Sequence, residues 1–535
     1  MYREQSALVM PCPCPRGESG AGDGGRFQGS RWTLRVSVTP WLFLLSPFLQ
    51  GAEESKPFAI EVVDFATGRG VPLVELRTTH EVRFYTDSKG LVAILDPDLL
   101  GRDVFFHVKS HGYEHTADGF GYRGKMLKVE PGGKARLEIR RTQIAERLYR
   151  VTGRGIFRDT LLLGEKAQVS SDRGPVSGQD SVQAVVHRNQ VRLFWGDTSR
   201  LSYPLGNFRT TGAVLDYPVQ GGREPGSSLD LRYVTRPDGF VKEMCPFERE
   251  YLIWIEGVAS APDASGADRL IARYMRMKSL GEMLEHGIAV YRDDAQEFEK
   301  GAVFAKGERR MPHGQSLRVE DASGDWIYFG NPFPNVRVRR SFEALIDPGA
   351  YEAWSCLREG ADAPGDVERG SDGTLAYRWT RKAQPIGAGE EQKLIADGRI
   401  REEEGRLRPA DVETGRAIRL DGGSVRWNPW RKRWVLIAVE SGGSSFLGEI
   451  WYAESREPTG PWRRARKVVT HDRYSFYNPV HHAFLDDEGG KRIYFEGTYT
   501  EQFSGAPQPT PRYDYNQVMY RLDLEDARLA GVREE

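Results

Sequence analysis

Several side chains able to move protons, bind hydroxyl groups or stack on rings fall at the ends of β-prone runs. Asp180 opens one alternating run and Asp197 closes the next. Glu256 ends the run from Tyr251, Glu440 ends the run from Trp434, and Glu496 lies in the run Arg492–Thr498. Carboxylates brought together in a partly buried pocket acquire different proton affinities, so one can stay protonated while another is ionised. Hydrolysis of a glycosidic bond needs such a pair flanking the bond. The sharpest assignment makes Asp180 the base and Glu496 or Glu440 the acid. Arg426 would keep the second carboxylate ionised or bind a hydroxyl or a uronate. Asp197, Glu256, His313, Asn478 and His481 would supply polar contacts, and Trp427 and Tyr477, with Trp195 and Tyr499, flat surfaces for sugar rings. Structural readings stand beside these. An aspartate at a strand start caps turns, Glu440 and Glu496 can pair with Arg426 and Arg492, and tryptophans pack between sheets.

These residues converge only if their strands share an edge. Asn478–Leu485 starts polar and becomes apolar, the run 486–490 (DDEGG) is turn chemistry, and Arg492–Thr498 is β-branched and aromatic. An antiparallel pair returns to the edge it left, which predicts Asn478 and Glu496 near one end. The same grammar recurs at 179–198, 251–257, 313–331 and 423–441. About five small sheets in succession predict an all-β chain with a five-bladed β-propeller over 178–535; a large β-sandwich is the alternative. Inner strands of a propeller start at one face and second strands end there, which sets the listed side chains around one mouth.

The 535 residues carry a net charge of −1 with both signs interspersed, which gives no footprint for nucleic acid. The segment 1–56 has a basic flank at Arg31 and Arg35, a short Pro-broken apolar run Val36–Leu49 and small residues at 51–52. It reads as a secretory signal set far from Met1, so a secreted or periplasmic protein is expected; an uncleaved anchor or an unstructured N-terminus is the alternative. The run is too short and broken for a stable membrane span. Cys12 and Cys14 fall in this segment. Cys245 and Cys356 are left either to pair or to remain buried thiols.

Residues 57–141 contain six short strand patterns with turns at 67–70 and 87–90. The stretches 67–76 (TGRGVPLVEL), 85–94 (YTDSKGLVAI) and 104–114 (VFFHVKSHGYE) resemble the transthyretin-like domain that serves as a regulatory module of carboxypeptidases. That resemblance implies a seven-stranded sandwich without catalysis of its own. His111 and His115 are expected as exposed loop histidines. Residues 142–177 read as a linker holding a strand or two. Glu390–Glu404 reads as an exposed helix, and Ser279–Arg292 as either a short helix or a strand pair.

The propeller grammar, with outer strands such as 448–462 (GEIWYAESREPTGPW), resembles the five-bladed glycosidases of the arabinanase and β-xylosidase type, glycoside hydrolase family 43 and its relatives. The resemblance covers about residues 178–524. It implies an aspartate base in the first inner strand, where Asp180 stands. It also implies an aspartate in the third unit, where His313-Gly314-Gln315 stands, and a glutamate acid in the fourth, where Ser424 and Arg426 stand and Glu440 is the nearest acid. The expectation is therefore a carbohydrate-active protein needing no cofactor or metal. A central ion near His313 or one of His481 and His482 is the minor alternative; the latter two are adjacent on a strand, point to opposite faces and cannot share one metal there. A glycan-binding propeller or a surface adhesion module are the other readings. No phosphate-binding loop and no Gly-x-Ser-x-Gly elbow occurs, so phosphoryl transfer and serine-hydrolase chemistry have no motif here.

Overall fold

The computed structural model describes residues 56–167, 176–224, 226–360, 366–444 and 446–533. The signal-like segment up to residue 55, with Cys12 and Cys14, and residues 168–175 of the expected linker lie outside the described residues. Almost all regular structure is β. Residues 58–141 form two four-stranded sheets. One has the order 91–94, 58–64, 134–141, 113–114, and the other 83–85, 75–78, 103–109, 124–128. Strand 103–109 alternates, with Val104, Phe106 and Val108 buried between the sheets and Phe105 and His107 turned outward. Ile60, Val62, Val74, Leu76, Phe106, Leu137 and Ile139 meet in the shared core. Strands at Tyr113–Glu114 and Gly124–Lys128 were not foreseen from the sequence.

A two-stranded pair, 176–179 with 198–200, and five sheets of four or five strands follow, the five in a propeller-like succession. Their first strands are 183–187, 252–262, 315–321, 420–428 and 475–481. Side chains and backbone stitch these strands into a ring. The ring of His187 meets Ser260 Oγ at 2.9 Å, Ser316 donates to the Val258 carbonyl at 2.6 Å, and Arg426 donates to the Ser316 carbonyl at 3.0 Å. The His481 N–H then donates to Ser424 Oγ at 2.8 Å, and Asn478 Nδ2 returns to Ser181 Oγ at 2.8 Å. The ring is closed from outside as well. Strand 146–150 lies ahead of the first sheet in sequence, yet it pairs antiparallel with 516–523 as the outermost strand of the fifth. The segment read as a linker thus locks the last sheet to the start of the chain.

Two element readings change. Residues 282–292 are one strand of a long three-strand meander, 252–262, 268–279 and 282–292, because a tight turn at 279–282, with bulges at 276–279 taking up the register, returns the chain along an 11- to 12-residue pairing. The helix expected over 390–404 is α-helical only at 388–396, with a separate 3-10 turn at 402–404, and its face is not free: Glu391 is buried and accepts the N–H groups of Arg406 and Leu407 at 2.8 and 2.9 Å. Cys245 and Cys356 are both buried and unpaired. No helix among the described residues is long and apolar enough to cross a membrane.

His111 is not an exposed loop histidine. It sits where the sandwich meets the fifth sheet, with its Nε2 3.0 Å from Tyr499 OH and its ring 5.5 Å from that of His471. Arg147, on the closing strand, crosses the same boundary and donates to the carbonyls of Pro72 and His111, both at 3.0 Å, and to Ser110 Oγ at 2.6 Å.

Candidate active site

A cavity of about 760 Å³ opens where the first strands of the ring begin. Asp180, Asp197, Glu256, Tyr477 and Asn478 all line it, with Asn331, Gln315 and Tyr515. Asp180 and Asp197 are neighbours across the first hairpin: the Asp180 carbonyl accepts the Gly196 N–H at 3.0 Å, and the Asp180 N–H faces the Asp197 carbonyl at 3.4 Å. Gly196 makes room for this pairing, since a Cβ there would lie 2.5 Å from Asp180 Oδ1.

The pairing sets the electrostatics. Burial, and then the charge of Asp197, push the Asp180 carboxyl up to about 7. The Tyr477 hydroxyl, donating to Oδ2 at 3.0 Å, and a hydrogen bond from Tyr515 act the other way. Oδ1 of Asp180 is buried with no hydrogen-bond partner. Burial also raises Asp197, against which the Trp254 indole N–H donates at 3.3 Å. Tyr477 lies well above the ordinary phenol range, through burial first and then the charge of Asp180. Across the cavity, Glu256 is held by Arg273 and accepts the Gly314 N–H at 3.0 Å. Two residues beside Asp180, Ser181 and Asn478, have positive φ of 53° and 48°. Such backbone is costly for non-glycine residues and persists where surrounding bonds hold it, here through Asn478–Ser181 and the Ser181 N–H to Thr498 Oγ1 at 3.0 Å.

The other expected residues are placed elsewhere. Glu496 is 0% exposed and meets His482 Nε2 at 3.0 Å. Its Cα faces Val480, a step below Tyr477 opposite Thr498, because a bulge at 478–479 shifts the register. It is not at the mouth with Asn478. Glu440 is buried and bound by Arg416 at 2.5 Å and by the Trp451 indole at 2.9 Å. It pairs with Arg416 rather than Arg426, whose guanidinium reaches only backbone carbonyls of 316 and 425. His313 Nε2 is 2.8 Å from Asn335 Oδ1, leaving the adjacent Gly314 to line the cavity. His481 is buried against Asp486 at 2.9 Å. Trp427 lies four residues past the cavity-lining Gly423 on its strand, some ~13 Å away at strand rise. It is 46% exposed and packs edge-on with Trp434. None of these six lines the cavity. Among the described residues no group of three His, Cys, Asp or Glu gathers as metal ligands would.

Trp254 was missed, although a signal existed: it stands two residues before Glu256 on one strand, so both face the same side. Tyr515 had none, since it precedes its strand in an irregular loop.

No protein-family model matches the sequence, and no curated protein is similar to it. Solved structures with a similar course include a Bacteroides ovatus protein described as a hydrolase, with 12% identity, 65% of this chain and 86% of that chain covered, and a TM-score of 0.39. An exo-β-1,3-galactanase from Phanerochaete chrysosporium has 7% identity, 67% and 64% coverage and a TM-score of 0.37. A thermostable family-43 glycoside hydrolase has 12% identity, 65% and 91% coverage and a TM-score of 0.30.

Proposed function

We propose that this chain acts on carbohydrate as a glycoside hydrolase, with the cavity at the ring's mouth as its active site. The observation that carries the reading is Asp180, a carboxyl raised to about 7 beside Asp197 in an open cavity that Glu256 also lines. A group titrating near neutrality can give and take a proton at working pH, and glycoside hydrolysis needs that group together with a second carboxylate across the bond. Asp180 is assigned the proton transfer. Glu256, in the second sheet and fixed by Arg273 and Gly314, takes the place first given to Glu496 and Glu440. Asn331, Asn478 and Gln315 offer amides for hydroxyl groups, and Tyr477 and Trp254 orient the two aspartates. The chemistry runs through carboxylates and calls for no cofactor. Export fits the signal-like segment before residue 57.

The pairing of Glu256 with Arg273 favours a second reading, a glycan-binding propeller whose carboxylates are structural. Hydrolysis of a panel of polysaccharides and aryl glycosides by the protein and by Asp180→Asn and Glu256→Gln separates them. Turnover lost in both variants, with binding kept, supports the hydrolase. Saturable binding without turnover in all three supports the module.

A further inference from the structure

The floor and the rim of the cavity differ in chemistry. Carboxylates and amides make the floor. Leu280, Phe208, Phe503 and Met275 line the same cavity on the side formed by the first, second and fifth sheets. Leu280 is 84% exposed, Phe503 59% and Phe208 45%. Leu280 stands at the tip of the long meander, where Met283 and Leu284 are exposed too, and the segment carrying Phe208 also exposes Leu201, Tyr203 and Leu205.

Scattered exposed leucines need no account, but apolar side chains gathered around one mouth mark a binding surface. A sugar ring can lay a C–H face on Phe208 or Phe503, but a sugar bearing only hydroxyl groups leaves the aliphatic Leu280, and the exposed Leu201, Leu205 and Leu284, without an apolar partner. A ligand with a hydroxyl-rich end and an apolar end satisfies both halves of the cavity. Building on the carbohydrate reading above, we propose that the rim is a subsite for an apolar aglycone, so that the preferred ligand is an amphiphilic glycoside: a sugar joined to an alkyl, aryl or acyl group. The sugar lies on the floor, and the aglycone on Leu280, Phe208 and Phe503. Burying apolar surface scales with the area covered, so affinity should rise with the length of the aglycone until the rim is filled.

The test compares methyl, butyl and octyl glycosides of glucose, galactose, xylose and arabinose, both anomers, against the full chain by calorimetry, with octyl glycosides kept below micelle formation. For the sugar that binds, octyl is expected to bind at least ~10-fold tighter than methyl, with butyl between. The double variant Leu280→Ser/Phe208→Ser should bring the octyl-to-methyl ratio close to one. Equal affinities, a preference that survives the double variant, or no binding by any of the glycosides overturns the subsite. A ratio that collapses in the variant while no glycoside is turned over keeps the subsite and removes the hydrolase reading. Turnover with no aglycone preference does the reverse.

Discussion

At the scale of single residues, Asp180 gives the sharpest test, because one raised carboxyl predicts both a loss and a gain. Its folded value of about 7 lies above the 3.8 of an ordinary aspartate. Between those values the folded chain holds a proton that the unfolded chain has released, so stability falls as pH rises from about 4 to 7. The cost at pH 8 is of order a few kcal/mol, being three-odd pKa steps of ~1.4 kcal/mol each, less whatever solvent recovers. Asp180→Asn removes it. The variant should melt higher than the parent at pH 8, match it near pH 4, and lose glycoside turnover by ~100-fold or more. Melting curves at the two pH values and initial rates decide this; a variant that melts lower at both would show that Asp180 is a structural partner of Tyr477. Glu496 gives the converse. Buried on His482 and away from the cavity, it predicts that Glu496→Gln costs ~1–3 kcal/mol of stability but leaves kcat/KM within about threefold below the melting range. A collapse of kcat/KM at full folding would return Glu496 to the chemistry.

At the scale of elements, what places Asp180 is the end of the first hairpin. Gly196 accepts no side chain without moving Asp180 Oδ1. Gly196→Ala should therefore reduce turnover ~10–100-fold, as displacements near 1 Å do at catalytic groups, while far-ultraviolet circular dichroism stays unchanged. Unaltered turnover would mean that Asp180 is not held to tight tolerance. The hairpins themselves were legible, since β-branched and aromatic runs set off by turn residues mark strands, and 183–195, 315–330 and 420–440 form where those runs fall. Depth along a strand was not legible. Glu496 and Trp427 sit on foreseen strands, whereas His481 ends a strand that runs 475–481 instead of the expected 478–485, with 483–485 a 3-10 turn; a bulge at 478–479 and a few residues of rise carry all three off the mouth. Periodicity fixes the face of a residue, whereas register depends on bulges and partners from distant chain. The partners of the buried Glu440 and His481, an exposed Arg416 and Asp486 of the DDEGG turn, likewise lie between strands, where no periodicity fixes which side chain they meet. Strand 146–150 belongs to the same class: its alternation was visible, but its partner lies some 370 residues on and only topology supplies it.

At the scale of the whole molecule, the sandwich and the ring share their boundary too closely to melt apart. Besides Arg147 and His111, the Tyr513 hydroxyl donates to the Thr86 carbonyl at 2.6 Å, Asp87 accepts both the N–H and the hydroxyl of Thr160 at 2.7 and 2.8 Å, and Asp159 accepts the Ala93 N–H at 3.1 Å. Unfolding the sandwich alone would break the three hydrogen bonds of the Arg147 guanidinium and strip Leu73 from the core of the fourth and fifth sheets, leaving that apolar face open to water. Calorimetry of the protein should therefore show one transition for sandwich and ring together, and Arg147→Met should lower it, whereas separate transitions for the two parts in the parent would make them independent. The boundary also carries a pH signature of its own. Burial, and then Arg147, pull the His111 imidazole down to about 3 from 6.5. Over that interval the unfolded chain binds the extra proton, so this contribution is whole above pH 6.5 and is lost as pH falls toward 3. Asp180 acts with the opposite sign over nearly the same range, and the two partly cancel in the parent. The variants separate them: His111→Gln should flatten the loss of stability on acidification, Asp180→Asn should steepen it, and the double variant should return close to the parent slope. Sites that share no hydrogen-bond partner should add within ~0.5 kcal/mol; a double variant that departs further would show that the boundary and the mouth are energetically linked through the fifth sheet, which carries Tyr499 at one and Tyr477 at the other.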